Sequence, residues 1–426
     1  MAEDGTPSSH FQAPRGTRDV LPEDEADWRF ARQTAERVAG LFGYRYIETP
    51  MFEDARIWLR GVGEGTEIVE KEMYLFEDRG GEQLALRPDT TAGVCRAYVE
   101  HGMASRPQPV RLFYFAQKFR YDRPQAGRYR QHTEFGVEAI GDGDAAVDAE
   151  VIDLLATLYD SLGLAGLALH LNSIGDGQCR PQYIESLRAY YAGKLDGICG
   201  DCRMRYEKNP LRLLDCKEQP CQPAIAGAPL ISERLCEPCA EHFAALRAYL
   251  DALGVGYELN PRLVRGLDYY TRTVFEFLPP EEGAQSTVGG GGRYDGLIEL
   301  LGGTPTPGIG FGTGIERIVL NLKRQEAAVP EVEATQVYVA HTSEAGKASA
   351  LVLARRLRAA GVSAVVGGGG RSLKSQLRHA DTLGVRHVAI LGERELAQGE
   401  VTLRDMRDGQ QRSVPDDAVV ASVQAG

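Results

Sequence analysis

The sequence predicts an α+β fold: an antiparallel sheet flanked by helices, a small cysteine-rich insertion, and a separate C-terminal α/β unit. Three observations carry this. First, two segments rich in Phe, Tyr and Val (Val110–Arg120 and His132–Ile140) flank a polar loop holding Pro124, Gly127 and three arginines, the pattern of a long-looped antiparallel hairpin. Second, the glycine-rich segment at 308–320 reads as a strand and then a helix starting near Gly312, whose Ile315, Ile318, Val319 and Leu322 form one apolar stripe. Third, VYVAHT, a helix from Gly346 to Ala360, SAVVGGGG, a helix near Leu373–Leu383 and HVAILG alternate as β-α-β-α-β, the order of a small parallel α/β unit. The expected division is 1–324 with an insertion at 178–241, a charged linker at 325–335, and 336–426.

The hairpin carries the densest chemistry. Successive strand residues point to opposite faces, so Leu112, Tyr114, Ala116, Lys118 and Arg120 share a face with His132, Glu134, Gly136 and Glu138 across the turn. Phe113, Phe115, Phe119, Thr133, Phe135 and Val137 take the other. One surface thus offers cations on one strand and carboxylates on its neighbour. Unpaired buried charge is costly, so this surface is either a ligand site or an exposed face with ordinary ion pairs.

Length and composition bound the rest. At 426 residues the chain accommodates two or three domains. Its 43% hydrophobic and 25% charged residues are ordinary for a globular protein. A net charge of −12 argues against a general polyanion binder. From Gln336 onward, however, 12 Lys and Arg face 9 Asp and Glu, a mildly basic unit on an acidic body. The first sixteen residues show neither a basic nor an apolar signal region, and no stretch is apolar enough to span a membrane. A cytoplasmic protein with reduced cysteines is expected.

In chain order, Pro14–Pro22 is a turn-rich entry. Asp24–Phe42 is a helix with Trp28, Ala31, Ala35, Val38, Ala39 and Phe42 at helical spacing, stopped by Gly43. YRYIETPMFED reads as one strand running into Pro50. Leu84–Gly102 reads as a strand, a turn and a helix, with Asp89, Thr90 and Thr91 at the helix start, where a plain N-cap is the simplest role. Ala145–Leu162 is an amphipathic core helix, and LALHLNSIGD a strand entering a turn. The insertion spaces six cysteines as Cys199-x-x-Cys202, Cys216-x4-Cys221 and Cys236-x-x-Cys239. The two Cys-x-x-Cys pairs suggest one structural zinc on Cys199, Cys202, Cys236 and Cys239; free thiols are the alternative. Residues 261–278 read as strand–turn–strand around GLDYYT. The glycine-rich segments match neither a dinucleotide fingerprint nor a P-loop. In strands, glycines mark bulges or a close ligand.

KFRYDRPQAGRYRQ with EFGVE resembles motif 2 of class II aminoacyl-tRNA synthetases in its histidyl form. LVRGLDYYTRTVFE resembles that family's signature segment, GIGFGTGIERIVL its motif 3, and the C-terminal unit its anticodon-binding domain. The resemblance covers about the whole chain. It implies ATP-dependent joining of L-histidine to tRNA(His) through a histidyl-adenylate, with ATP and Mg2+, by a homodimer whose interface is built by the first helix and strand. It further implies that Asp89, with Thr90 and Thr91, holds the substrate ammonium. Glu138, Tyr269 and Tyr270 recognise the imidazole, and Glu134 lines the same pocket. Arg120 grips the α-phosphate, Arg265 offsets charge at phosphorus, Arg317 takes the distal phosphates, and Arg128 lies in a loop closing on ATP. Asp122 stands where motif 2 usually has Glu, Glu134 where Gln is commoner, and His132 where an aromatic ring often stacks on adenine. Two other readings stay open: a non-catalytic paralogue regulating histidine biosynthesis, and a class II ligase for another amino acid. Retained motifs and C-terminal domain weigh against the first, and the LDYY segment against the second.

Overall fold

In the computed structural model, residues 11–63, 66, 68–123, 127–280 and 287–425 are described. Pro124 of the hairpin loop and the first ten residues, part of the stretch searched for a signal, lie outside them. The chain divides into two compact units between Pro330 and Glu331, inside the segment read as a linker. Lys323 and Arg324 close the helix Ile315–Arg324, and Lys323 pairs with Asp24 at 2.6 Å and Asp27 at 3.3 Å.

The larger unit is organised by an eight-stranded sheet. Its order is Arg45–Tyr46, Val110–Phe119, Gln131–Ile140, Gly308–Gly314, Gly289–Arg293, Thr271–Leu278, Ala168–Ser173, Glu258–Leu259. The six inner strands pair antiparallel, and only the two short edge strands run parallel to their neighbours. The hairpin's register sets Leu112 against Glu138, Tyr114 against Gly136, Ala116 against Glu134 and Lys118 against His132. The expected faces are therefore the observed ones. YRYIETPMFED is not one strand. Its first residues edge the large sheet, while Phe52–Asp54 joins Gln83–Leu86 and Tyr74–Glu77 in a separate three-stranded sheet. The proline between them, lacking an N–H, cannot continue a ladder.

The back of the sheet is apolar. Phe113, Phe135, Val137, Phe275 and Phe311 pack against Ala31 and Val38 of the helix Glu25–Leu41, Val151 and Leu155 of Ala145–Ser161, Leu246 and Leu250 of Glu237–Leu253, and Ile315 and Ile318 of Ile315–Arg324. One buried ion pair crosses this layer. Arg293 Nε lies 3.0 Å from Asp148 Oδ1, and both side chains have 0% exposure. Thr273 donates to Asp148 at 2.6 Å, and Asp295 and the Asp142 carbonyl take another Arg293 nitrogen at 3.0 and 3.1 Å. The helix Ala145–Ser161 is thereby pinned to the glycine strand. On the opposite face, the helices Arg56–Val62 and Thr91–Glu100 cover Leu112, Tyr114 and Ala116.

The smaller unit has a five-stranded sheet in the order Ala364–Val366, Val337–His341, His387–Leu391, Glu400–Asp405, Gln411–Pro415. The first three are parallel, as the β-α-β-α-β pattern requires. The antiparallel pair at 400–415 was not visible in that pattern. Gln376, fully buried, accepts from the His341 amide at 3.1 Å and donates to the carbonyls of His341 and Arg371 at 2.7 and 2.9 Å. It ties the glycine turn to the helix Leu373–Thr382, leaving Arg371, Lys374 and Arg378 exposed.

Asp148→Asn is expected to destabilise the larger unit by about 3 kcal/mol, because it strands a buried guanidinium with fewer counter-charges. Urea unfolding of the variant beside the unaltered protein measures this.

Candidate active site

Glycine rows make the floor of the front face. Gly310 pairs with Glu138 and Gly292, and Gly312 with Gly136 and Gly290. A Cβ at Gly310 would overlap the Glu138 carboxylate, one at Gly312 the Glu134 carboxylate, and one at Gly136 the Tyr114 ring. A Cβ at Gly290 would stand 3.1 Å from Arg265 Nη1. Long side chains from neighbouring strands therefore lie flat across the sheet. The glycines here make room for neighbouring side chains, where the sequence suggested bulges or a close ligand.

At the acidic end sits Glu138, with 0% exposure. It accepts three hydroxyl hydrogen bonds: from Tyr294 at 2.6 Å, Thr91 at 2.8 Å and Tyr114 at 3.1 Å. Burial nevertheless pushes its pKa up to about 8, with nearby Asp89 adding to the rise, against the lowering by the hydroxyls. Asp89 accepts from the Ala92 amide at 3.2 Å and from Tyr269 Oη at 3.3 Å. It thus caps the helix Thr91–Glu100 and faces the tyrosines together. Thr90, the formal N-cap, makes no side-chain cap bond, and its buried hydroxyl has no partner. The rings of Tyr269 and Tyr270 are 4.8 Å apart, and those of Tyr269 and Tyr294 6.1 Å. Asp89, Thr91, Glu138, Tyr269 and Tyr270 therefore form one chamber: two carboxylates, hydroxyls and aromatic walls.

A basic end adjoins it. Arg120 donates from Nε to the Pro88 carbonyl at 2.8 Å. Arg265 pairs with Glu276, which also accepts from Thr287 at 3.1 Å, and its guanidinium stands 5.9 Å from the Tyr270 ring centre. Arg317 donates to the Gly127 carbonyl at 3.0 Å and to that of Thr287. Burial lowers the pKa of Arg317, and the guanidinium charges of Arg128, Arg265 and Arg120 lower it further. Four arginines are thus near enough to repel, a repulsion that a polyanion would relieve. His132 belongs to the same end. Burial, then the charges of Lys118, Arg120 and Arg317, hold its pKa well below the usual imidazole value, so it is neutral.

Three expected site residues are differently engaged. Glu134 pairs with Lys118 at 2.8 Å, diagonally across the hairpin, so its carboxylate already has a cation. Asp122 and Arg128 pair with each other, and Arg128 also lies 3.6 Å from Glu72. The cysteine set is corrected. Cys199 and Cys202 gather with Cys216 and Cys221, whereas Cys236 and Cys239 gather with Asp176 and Cys179. Similar spacing suggested a pairing that the path of the insertion does not make. Two site residues escaped the sequence reading. Tyr294, which reaches Glu138, sat unremarked in GGGGRYDGL. Glu276, the partner of Arg265, sat in VFEFL, where a lone charge on an apolar strand was the available signal.

A family model described as histidyl-tRNA synthetase matches residues 16–175 and 212–318, and one described as anticodon binding domain matches 336–426. A curated histidine–tRNA ligase of Dehalococcoides mccartyi is 53% identical over 413 residues, covering 97% of this chain and 99% of that protein. One of Pelotomaculum thermopropionicum is 48% identical, covering 96% of each. Among solved structures, apo histidyl-tRNA synthetase of S. aureus matches with a TM-score of 0.81 at 36% identity, covering 97% of this chain and all of that one. An ATP phosphoribosyltransferase regulatory subunit/histidyl-tRNA synthetase from Bacillus halodurans matches at 0.65 with 24% identity over 90% and 98%, a likeness of fold alone.

The raised Glu138 pKa has a stability consequence. An acid whose folded-state pKa of about 8 exceeds its ordinary 4.5 is relatively favourable below 4.5, and costs stability as pH rises from there to 8. Glu138→Gln removes the titration, so its stability relative to the unaltered protein is expected to improve across that window, by a few kcal/mol at most. Parallel denaturant curves at pH 5, 6.5 and 8 check it; a constant gap would refute the shift.

Proposed function

This chain belongs to the histidyl-tRNA synthetase family, and we propose that the chamber on the front of its sheet is where the reaction of that family takes place. The enzyme joins histidine to tRNA with ATP through a histidyl-adenylate. In the first step a carboxylate oxygen of histidine attacks the α-phosphorus of ATP, the bond to the bridging oxygen breaks, and pyrophosphate leaves. In the second, a hydroxyl of the terminal ribose of tRNA attacks the adenylate carbonyl and AMP leaves. No protein nucleophile is needed, so positioning and charge neutralisation carry the acceleration.

The chamber's two ends suit the two substrates. Asp89 receives the ammonium, with Thr90 and Thr91 shaping the helix start beneath it. Glu138 receives an imidazole N–H, and Tyr269 and Tyr270 flank the ring. The observation that carries this reading is Glu138 itself: a carboxylate buried among three hydroxyls beside a second carboxylate. Glu134, held by Lys118, lines the chamber as an ion pair. Arg120 and Arg265 neutralise charge at the α-phosphate, with Glu276 holding Arg265 in place. Arg317 takes the distal phosphates, and neutral His132 contacts the adenine. Arg128 exchanges Asp122 for phosphate when the loop closes. ATP arrives with Mg2+. In the insertion, zinc serves architecture and takes no part in the reaction.

The C-terminal unit, matched by the anticodon-binding model, contacts tRNA. Arg371, Lys374 and Arg378 contribute phosphate contacts there, so tRNA affinity falls as salt rises. The partner is tRNA(His). A homodimer is favoured by a groove behind the hairpin where Val20, Leu21 and Tyr46 are exposed beside Phe113 and Phe115. These apolar side chains, set among the charged Arg18, Glu25, Arg29 and Arg32, suit a second copy. Among the described residues no helix is long and apolar enough to cross a membrane, which agrees with a cytoplasmic enzyme.

ATP–pyrophosphate exchange with a panel of amino acids tests the reading. Exchange with histidine alone is expected; exchange with another amino acid, or with none, would overturn it. In the same assay Arg265→Ala is expected to lose about 100- to 1000-fold, the usual loss on removing one donor to developing charge. Near-normal exchange would remove Arg265 from the chemistry.

A further inference from the structure

The family model passes from residue 175 to residue 212, so the family's common features leave the start of the insertion unaccounted for. Seven of the eight cysteines lie between residues 178 and 241, one more than the six of the paired spacing. Cys179 is the seventh, and the structure divides the set into two compact groups.

The first group is Cys199, Cys202, Cys216 and Cys221, whose sulfurs all lie within 4.8 Å of one another. Cys199 and Cys216 are 3.8 Å apart and Cys202 and Cys221 3.7 Å. A zinc–sulfur bond of about 2.3 Å gives a tetrahedral edge of about 3.8 Å, so both measured edges fit one central ion. The spacing is far from the ~2.05 Å of a disulfide. Backbone amides also aim at sulfur: that of Cys202 donates to Cys199 at 3.4 Å, and that of Cys199 to Cys221 at 3.2 Å. Cys199 caps the nine-residue helix Gly200–Lys208.

The second group stands on its own geometry. Asp176-x-x-Cys179 faces Cys236-x-x-Cys239, with all four ligand atoms within 4.8 Å of one another. The sulfurs of Cys179 and Cys236 each lie 3.8 Å from Asp176 Oδ1, against about 3.6 Å for oxygen and sulfur on one tetrahedral zinc. Oδ2 of the same carboxylate holds Arg272 at 3.2 Å, two residues beyond Tyr270. The Arg180 guanidinium meanwhile donates to the Tyr270 carbonyl at 2.6 Å. This group sits where the chain leaves the sheet after Ala168–Ser173 and where it returns in the helix Glu237–Leu253.

We propose that the insertion carries two structural sites for a thiophilic divalent ion of the zinc class, one on Cys199, Cys202, Cys216 and Cys221, the other on Asp176, Cys179, Cys236 and Cys239. Leu187, Tyr191, Leu213 and Ile225 give the insertion buried apolar side chains, and metal staples are a common further support for a small segment. The first ion closes the insertion's own small core. The second clasps its neck and, through Asp176, braces the turn that carries Tyr269 and Tyr270. Neither site depends on the reaction assigned to the chamber.

The test uses full-length protein purified without chelator, with zinc counted per chain by native mass spectrometry. Two ions are expected, with one lost in Cys216→Ser and one in Cys179→Ser. Cobalt(II) substitution of the unaltered protein gives a second measurement needing no variant: intense thiolate-to-cobalt charge-transfer bands are expected from tetrahedral sites. A single ion removed by Cys216→Ser and kept by Cys179→Ser would uphold the four-thiolate site and overturn the neck site; the reverse pattern would do the opposite. Protein free of zinc, with eight titratable thiols and no cobalt charge-transfer bands, would overturn both.

Discussion

A carboxylate buried in the middle of a β-sheet is the constraint on which the rest of this structure depends. Glu138 can lie flat because Gly310 beside it has no side chain, and it is tolerated because Thr91, Tyr114 and Tyr294 supply hydroxyls. Those three come from the helix start, the neighbouring strand and the turn after the glycine strand. Holding one carboxyl therefore fixes the mutual positions of three separate parts of the chain. Even so, burial dominates its protonation. A group held this far from its ordinary state is a poor stabiliser and a good receptor, since a ligand N–H returns part of what water would have provided.

The same sheet separates two kinds of charge. Asp89 and Glu138 stand at one end, and Arg120, Arg128, Arg265 and Arg317 at the other, where Glu276 pairs with Arg265. At the basic end the guanidiniums lie close enough to repel, which a polyanion would relieve, while burial and nearby Asp89 push the Glu138 pKa up to about 8. The back of the sheet makes this affordable. An apolar layer and the Arg293–Asp148 pair hold the strands in register, so the front face can be built of glycine and charge.

The insertion and the C-terminal unit follow other rules. The insertion buries apolar side chains such as Leu187, Tyr191, Leu213 and Ile231 and gathers sulfur at two points. The C-terminal unit has an ordinary α/β core and presents Arg371, Lys374 and Arg378 on one helix and the turn before it. Neither contributes a described hydrogen bond to Glu138 or Asp89.

Local pattern determined the hairpin, the faces of its strands, the helices at 25–41 and 145–161 and the parallel core at 337–391. Each follows from a repeat of two or 3.6 residues, which neighbours in sequence impose on one another. The motif runs likewise marked Asp89, Glu138, Arg265 and Tyr269 as a set. Tertiary structure decided what those residues touch. Tyr294 reaches Glu138 across 156 residues of chain, and Arg317 reaches the Gly127 carbonyl across 190. The cysteines show the limit most clearly. Cys-x-x-Cys recurs at 199 and 236, yet the partners are Cys216 and Cys221 in one case, Asp176 and Cys179 in the other. Spacing states which side chains can share an ion within one turn. Which two turns meet is settled only by the path of the chain between them.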